Sequence, residues 1–299
     1  MSDASDKATG QIRTHAITAF APISLPPQAQ QPRAIGTADI RSKLRDGLSV
    51  LDDLRLSGSS RVLFPNANYP NGRTAALQAV LLNTAGGITG GDQFDVSTHA
   101  GEGSHLTLTT QAAERAYRSI DVRTGRLDST LSLAPGARMD WLPQETILFD
   151  GAALSRSLTV DMHSTSRFLM VEPMIFGRTA MGETVQAADL FDRITVKRDG
   201  DLLFADRVKL SGDVQKHLNR TAIAGGARAM ATLLLAAPDA DRYLDTLRSH
   251  LPHTAGASLI RDGLLFARIL ASDGHALRQS LIPALTYLNG ADLPRTWML

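Results

Sequence analysis

GSHLTLTTQ at residues 103–111 and GARMDWLPQ at residues 136–144 share one layout, a glycine turn followed by a strand that ends in glutamine. The second stretch starts 33 residues after the first, and TSRFLMV at residues 165–171 is a third copy at a slightly shorter offset. A turn–strand unit repeated at this spacing predicts stacked β-layers, as in a solenoid or β-helix. The alternative is a chance similarity between strands that each follow a turn.

Strand patterns surround these repeats. Apolar and polar residues alternate in 94–98 (FDVST) and in 158–162 (LTVDM), which places one set of side chains inward and the other outward. Asp199-Gly200 separates two further strand-like runs and predicts a tight hairpin, because glycine accepts the positive φ that such a turn requires. The apolar run 229–237 (AMATLLLAA) predicts a buried strand.

Helical spacing occurs only near the C-terminus. A first segment starts at Pro238-Asp239 and runs to about His250, with Asp239 as the expected N-cap. A second runs from about Gly274 to Leu288, and Pro283 inside it predicts a kink or a break. Both leucine stripes are expected to face the protein's own core rather than a partner. The predicted fold is therefore mainly β, with β-helix or solenoid-like stacked strands and two short α-helical segments near the C-terminus.

Composition limits the classes of function. The 299 residues include 31 Lys and Arg against 30 Asp and Glu, so the net charge of +1 gives no general attraction to nucleic acid or to an anionic membrane. The chain contains no cysteine, which excludes disulfides, thiolate metal sites and cysteine nucleophiles. The polar start of the chain and the lack of a long apolar segment predict a cytoplasmic protein. We expect a disordered leader over residues 1–11 and a single domain over residues 12–299.

Familiar catalytic motifs are absent from the sequence. It has no GxSxG nucleophile elbow, no HExxH metal site and no Gly-Lys-Ser/Thr phosphate loop. The most unusual local segment is 83–92 (NTAGGITGGD), in which two glycine pairs flank Ile88-Thr89. Such a backbone can approach a phosphate or another chain closely, or it can form a turn with positive φ. Because no lysine follows the glycines, the turn or interface reading is favoured, with Asp92 accepting backbone hydrogen bonds that hold the turn.

Acidic residues beside apolar sequence are the other candidates. Glu145, Asp150 and Glu172 each follow or interrupt an apolar run. A carboxylate in such surroundings is either paired with arginine or aimed into a polar cavity, because an unpaired buried charge is very unfavourable. The plausible partners are Arg115, Arg118, Arg156 and Arg178, and the sequence does not match them to the acids.

Histidines are weaker candidates for metal ligands. His99 and His105 would point the same way if their strands pair, and His250 and His253 form an HxxH pattern near a predicted helix end. Imidazole is a common ligand of transition metals, although most surface histidines bind no metal.

Several segments, taken in order, resemble the urease accessory protein UreD family, called UreH in some organisms. The segments that carry the resemblance are 81–92 (LLNTAGGITGGD), 106–110 (LTLTT) with 117–119 (YRS), 141–151 (WLPQETILFDG), 177–178 (GR) with 182–183 (GE), and 294–297 (PRTW). The stretch 141–151 is the most specific of them.

The resemblance implies a largely β-helical fold, no catalytic activity, and a complex with UreF and the GTPase UreG that engages apo-urease. It also implies delivery of nickel to urease, with weak nickel binding or passage through an internal tunnel. Asp92, Glu145, Asp150 and Glu172 lie in family-like segments and are the expected lining of such a transient nickel path. No tightly bound cofactor is expected, because a closed set of ligands would trap a metal that must be passed on.

Two other functions remain open from the sequence. A β-solenoid enzyme acting on carbohydrate could use Asp/Glu pairs in a groove, but such grooves need exposed aromatic side chains and only 5% of this chain is aromatic. An interaction module with no role in metal traffic would have the same fold and the same binding surface.

Overall fold

The computed structural model describes residues 32–65, 76–178 and 181–298. The predicted leader, residues 1–11, lies outside these ranges, and the extent of the predicted domain over residues 12–299 stays a prediction. Within the described residues, no helix is long and apolar enough to cross a membrane.

The described residues form two β-sheets. The first sheet has seven strands in the order β14-β13-β11-β8-β5-β1-β2. Their bounds are β1 Ile35–Arg45, β2 Leu48–Gly58, β5 Gln93–Ala100, β8 Gly125–Leu133, β11 Ala153–Met162, β13 Ala188–Arg198 and β14 Asp201–Gly212.

The second sheet has ten strands. Eight follow the order β16-β17-β15-β12-β9-β6-β4-β3, and the short strands β7 and β10 pair beside β12. Their bounds are β3 Ser60–Leu63, β4 Ala76–Asn83, β6 His105–Thr110, β7 Glu114–Ala116, β9 Arg138–Leu142, β10 Thr146–Leu148, β12 Arg167–Phe176, β15 Ala229–Ala236, β16 Ala255–Arg261 and β17 Leu264–Ala271.

The chain winds as a β-solenoid between these sheets. It passes from β4 to β5, β6, β8, β9, β11, β12 and β13, and apart from the short edge strands each step changes sheet. Within each sheet these strands are parallel to their neighbours. His105 pairs with Arg138, which in turn pairs with Arg167 on the next rung. The offsets of the sequence repeat are therefore the register of the solenoid, and the predicted fold class is confirmed.

Antiparallel strands end the solenoid on both sides. β1 and β2 form a hairpin at one end of the first sheet, and β13 and β14 form another at the opposite end. The second hairpin turns at Asp199 and Gly200, whose φ angles are 53° and 88°, as the sequence predicted. The predicted buried strand at 229–237 is β15, which is buried along its whole length.

Three short α-helices complete the described structure, namely α1 Val214–Leu218, α2 Leu244–His250 and α3 Gly274–Asn289. The sequence did not predict α1. The predicted N-cap Asp239 is wrong, because its side chain makes no capping hydrogen bond and lies near Arg242 instead. The chain there first forms a 3₁₀ turn over Ala240–Tyr243 and only then α2.

Of the kink or break predicted at Pro283, the break does not occur, since α3 continues through it to Asn289. A kink there stays a prediction. Proline removes one helical hydrogen bond, but the flanking residues Leu281, Ala284 and Leu285 are fully buried against the second sheet and hold the helix in place. The helix starts at a side-chain cap, in which Asp273 Oδ1 accepts the Ala276 N–H at 2.9 Å.

Apolar side chains gather in two main layers. The larger lies between the two sheets and includes Ile40, Leu108, Met139, Val160 and Phe168. The other lies between the outer face of the second sheet and helices α2 and α3, as the predicted leucine stripes require. Trp297, in the 3₁₀ turn Arg295–Met298, is completely buried in this second layer and donates its Nε1–H to the Leu142 carbonyl at 3.0 Å.

Candidate functional site

A cavity of about 310 Å³ opens between the two sheets, beside the repeat strands. Its apolar wall comes from both sheets and includes Leu81, Phe94, Val96, Leu127, Trp141 and Leu158. Its polar lining includes Glu114, Gln144, Thr146, Arg156 and Glu172. Charged groups at the edge of an internal apolar cavity are unusual, because they lose most of their hydration.

Arg156 is the centre of a buried charge cluster at this cavity. Its Nε and Nη2 donate to the two carboxylate oxygens of Asp192 at 3.0 and 2.6 Å. Its Nη1 lies 2.5 Å from Glu172 Oε2 and donates to Thr146 at 3.1 Å. The second Glu172 oxygen accepts the Trp141 indole N–H at 2.6 Å. One guanidinium thus bridges two carboxylates, which leaves the cluster with an excess negative charge.

The pKa values follow from this imbalance. Burial alone lowers the pKa of Arg156, but the attraction of Asp192 and Glu172 outweighs it, so the net pKa lies above the ordinary value and the guanidinium stays charged. Burial raises the pKa of Glu172, and the favourable pairing with Arg156 does not cancel that rise because Asp192 adds a second negative charge. Glu172 is therefore the member of the cluster that gains most from a proton or another cation.

Glu114 is a second cavity carboxyl with a raised pKa. Burial raises it, although the Asn83 amide, which donates to both Glu114 oxygens at 3.3 Å, acts in the opposite direction. The residue is half-buried on β7, and its backbone N–H is held by the Glu145 carbonyl at 2.8 Å. Glu114 was not a candidate from the sequence, because it follows only two alanines and its neighbours give no strand alternation.

Gln144 and Glu145 tie the cavity wall to α3. Arg278 donates to Glu145 Oε1 from its Nε at 2.6 Å and also donates to Gln144 Oε1. The arginine fixes the orientation of the Gln144 amide, because only the amide oxygen can accept from it. Gln144 is 3% exposed, and its Nε2 has no hydrogen-bond partner within the protein. This buried N–H is therefore a donor that water or a ligand oxygen in the cavity can satisfy.

Asp92 holds the double-glycine turn, as the sequence predicted. Its Oδ2 accepts the Thr89 N–H and its Oδ1 accepts the Ala34 N–H, both at 2.8 Å. The side chain is 5% exposed. Both carboxylate oxygens are therefore used to fix backbone.

Asp150 lies in a different place, at a surface pocket. Its Oδ1 accepts the backbone N–H groups of Gln186 and Ala187 at 2.9 Å, and its Oδ2 accepts from Arg118 at 2.6 Å. The bond from the Ala187 N–H, with the others, lowers the pKa of Asp150 despite partial burial. This carboxylate stays ionised and fixes the loop that follows β12.

The four predicted path residues are thus not brought together. Glu172 lines the cavity, Glu145 lies beside it but turns to Arg278, and Asp92 and Asp150 hold loops. Residues 32–65, 76–178 and 181–298 contain no group of three or more His, Asp or Glu side chains arranged to hold a metal ion. The transient nickel path through these four residues stays a prediction.

Two of the expected arginines do pair with candidate acids, and one acidic residue of the charge cluster was not among the candidates. Arg118 pairs with Asp150 and Arg156 with Glu172, whereas Arg278 was not among the expected partners of Glu145. Asp192 was not singled out, although the sequence carried a signal. It occupies an inward position of the alternating strand β13, where an acidic residue needs a buried partner.

The histidines form no shared site within the described part of the chain. His99 and His105 lie on β5 and β6, which belong to different sheets, so the expectation of a common face is wrong. His250 lies at the end of α2, where its Nδ1 donates to the Thr246 carbonyl at 2.8 Å. His105 Nε2 instead lies 2.5 Å from the buried Asp140 carboxylate.

Asp140 is the best-paired acid of the second sheet. Burial pushes its pKa upward, but His105 and Arg138 outweigh this and lower the net pKa below the ordinary value. Arg138 also donates to the Asn289 carbonyl at 2.7 Å, which links the sheet to the end of α3. This cluster fixes the C-terminal helix on the solenoid.

Comparison with known proteins matches this architecture to one family. The profile of the UreD urease accessory protein family covers residues 34–298, which is nearly the whole described chain. This chain belongs to the UreD family. A urease accessory protein UreD of Roseobacter denitrificans is 48% identical over 269 residues, covering 90% of this chain and 96% of the relative.

Two further UreD proteins support the assignment. The one from Ruegeria pomeroyi is 49% identical over 261 residues, covering 87% of this chain and 100% of the relative. The one from Rhizobium leguminosarum bv. viciae is 41% identical over 268 residues, covering 89% of this chain and 96% of the relative. The resemblance based on the sequence segments is therefore confirmed, and the chain is a urease accessory protein of the UreD type.

Proposed function

We propose that this chain is a non-catalytic scaffold for nickel insertion into apo-urease, acting in the cytoplasm in a complex with UreF and the GTPase UreG. Its membership of the urease accessory protein family supports a role in urease maturation. The nickel ion is the cargo of this process and not a resident cofactor.

The observation that carries the metal role is the charge of the cavity. Arg156 supplies one positive charge between the carboxylates of Glu172 and Asp192, and all three are buried. A cation that enters the cavity would neutralise the excess charge and would offset the cost of burial that raises the pKa of Glu172. The unpartnered Gln144 N–H supplies a donor to the water shell that a hydrated divalent ion would bring into the cavity.

The arrangement also suits weak binding. Glu172 already accepts from Arg156 and Trp141, so a nickel ion competes with these bonds instead of finding empty ligands. Carboxylates and waters hold nickel less firmly than a closed set of imidazole and thiolate ligands. The isolated protein should therefore bind nickel weakly and exchange it readily.

The test is nickel loading of urease in a reconstituted system. The wild-type chain, Glu172→Gln and Glu114→Gln are each co-purified with UreF and UreG, mixed with apo-urease, and assayed for nickel per urease active site. Glu102→Gln is the matched control, because Glu102 is an exposed glutamate in the turn before β6, outside the cavity lining. Thermal unfolding checks that each variant is folded.

The outcomes separate the proposal from its alternatives. Metal transit predicts that Glu172→Gln lowers nickel loading while the complex still assembles, and that Glu102→Gln does not. Normal loading with both cavity variants would favour an interaction module with no metal role. Failure of the wild-type chain to bind any of the three proteins would end the scaffold proposal and return attention to a carbohydrate-active solenoid.

A further inference from the structure

Four sequence segments that are far apart along the chain meet at one surface, away from the cavity charges. They are the double-glycine turn 86–92, the stretches 117–119 and 149–151, and residues 177–178 with 181–183. Thr89 Oγ1 donates to the Arg118 carbonyl at 2.9 Å. The Ser119 N–H donates to the Gly151 carbonyl at 2.9 Å. Four of the segments on which the family resemblance was based thus form a single structural unit.

The unit leaves little room for change. A Cβ added at Gly87 would lie 2.3 Å from the ring of Tyr117, and one added at Gly151 would lie 2.8 Å from the Arg118 side chain. Both glycines also have positive φ, 153° and 79°. The backbone is therefore shaped to hold Tyr117 and Arg118 in fixed positions at the surface.

These side chains form an aromatic and cationic pocket. The rings of Tyr117 and Phe149 meet edge-on with their centroids 5.0 Å apart. The Arg178 guanidinium lies over the Phe149 ring at 4.6 Å. Arg118 and Asp150 line the same pocket. Tyrosine, phenylalanine and arginine are the residue types enriched in protein–protein interfaces.

The exposed charge of this pocket is positive. Arg118 and its partner Asp150 have side-chain exposures of 65% and 24%, and Arg178 and its partner Glu183 have exposures of 46% and 17%. In both pairs the carboxylate is withdrawn and also holds backbone, while the guanidinium reaches solvent. Each guanidinium has five donors and uses at most two of them on its acidic partner. Donors therefore remain for a carboxylate from another molecule.

Exposed apolar side chains lie close to the pocket residues along the chain. Ile120 and Val122 follow Arg118 in the same loop and are 71% and 102% exposed. Met181, whose N–H donates to the Arg178 carbonyl, is 73% exposed. Side chains this exposed contribute little to the core, and their place beside pocket residues along the chain is typical of a surface that a partner covers.

We propose that this surface is the docking site for a partner protein segment that carries carboxylates beside apolar side chains. The carboxylates would pair with Arg118 and Arg178, and the apolar side chains would cover Ile120 and Val122. The inference rests on the proposed function, because the protein partners used to test it are those of that function.

The experiment measures binding of purified UreF, UreG and apo-urease to the full chain by biolayer interferometry. Two double variants are compared with wild type, namely Ile120→Ser with Val122→Ser, and Arg118→Glu with Arg178→Glu. The matched control is Leu202→Ser with Ile260→Ser, which removes aliphatic side chains that are 56% and 47% exposed on β14 and β16. Thermal unfolding is measured for all variants, and the serine pair keeps the test valid if the charge reversal fails to fold.

The expected result is a loss of about tenfold or more in affinity for one of the three proteins with both surface variants and no loss with the control. The charge reversal should also weaken the salt dependence of association, because the steering charges are inverted. Unchanged binding of all three proteins to the folded serine variant would overturn the surface assignment. If wild type itself binds none of them, the proposed function fails, which is a different outcome from failure of the surface.

Discussion

Replacing Arg156 with methionine removes the one cation between two buried carboxylates. Methionine has a similar length and no charge, so the packing of the aliphatic part is largely kept. Glu172 and Asp192, each 6% exposed, would then lose the guanidinium hydrogen bonds and face each other without compensation. The substitution therefore tests whether the cluster is held by this single charge.

The magnitude follows from the burial of the pair. Removing one member of a buried, hydrogen-bonded ion pair destabilises proteins by about 3–5 kcal/mol, because the remaining charge is left unpaired in a poorly polarisable interior. Here two carboxylates are left unpaired, so the loss of stability in Arg156→Met should lie at the upper end of that range at neutral pH. Such a loss is a large fraction of the stability of an ordinary domain.

The sign of the pH dependence is a sharper expectation than the magnitude. In the variant the pKa of Glu172 should rise further above its unfolded value, since burial and the Asp192 charge still disfavour the ionised form and Arg156 no longer opposes them. A raised folded pKa of an acid gives stability that is present below the unfolded pKa and is lost as pH rises through the folded pKa. The difference in stability between wild type and Arg156→Met should therefore shrink as pH is lowered from 8 towards 5.

The assay is urea denaturation followed by tryptophan fluorescence at several pH values. Arg126→Met is the matched control, because Arg126 pairs with Asp128 at 2.7 Å but its side chain is 61% exposed. Exposed pairs contribute little, so the control should change the midpoint only slightly. The reasoning is refuted if Arg156→Met is as stable as Arg126→Met at pH 7, or if its deficit grows as pH falls.

Three further substitutions test other parts of the fold. Trp297→Ala removes a fully buried indole and its hydrogen bond to the Leu142 carbonyl. Urea denaturation should show that the free energy of unfolding falls by about 3–5 kcal/mol. A fall below about 1 kcal/mol would show that the turn is dispensable. Gly87→Ala places a methyl group against the Tyr117 ring at positive φ, so calorimetry should show a lower Tm, and an unchanged Tm would contradict the close approach. Asp140 has a lowered pKa in the folded protein, so it contributes stability above its unfolded pKa that is lost as pH falls. Asp140→Asn should therefore reduce the fall in the free energy of unfolding between neutral and acid pH. An unchanged fall would argue against this ionic role.

The fold was predictable from the periodicities of the sequence. Parallel rungs repeat the same turn–strand unit, and the offset from Gly103 to Gly136 equals the pairing of His105 with Arg138. The sequence did not predict features that depend on competing local energies or on very short segments. Pro283 was expected to kink or break α3, and the break is absent because burial of the flanking leucines outweighs one lost hydrogen bond. The five-residue α1 has too few residues for a periodic signal.

The candidate site was only partly predictable. Glu172 was singled out because a carboxylate among apolar residues needs a reason, and it does line the cavity. Its partner Arg156 lies on a strand of the opposite sheet, and the sequence could not match the two because pairing across two sheets leaves no trace in local sequence. Asp150 was chosen on the same grounds as Glu172, but it fixes a loop at the surface pocket. Local sequence identifies acids that need a partner, whereas only the topology shows which partner they have.

The parallel ladder also has a consequence for the order in which the molecule is built. Each of the strands β8, β9, β11 and β12 pairs in its sheet with a strand that lies one rung earlier in the chain. During synthesis the template for each of these strands has therefore already left the ribosome when the strand itself emerges. The solenoid can grow rung by rung from its N-terminal side, and its apolar interior is covered progressively instead of waiting for the complete chain.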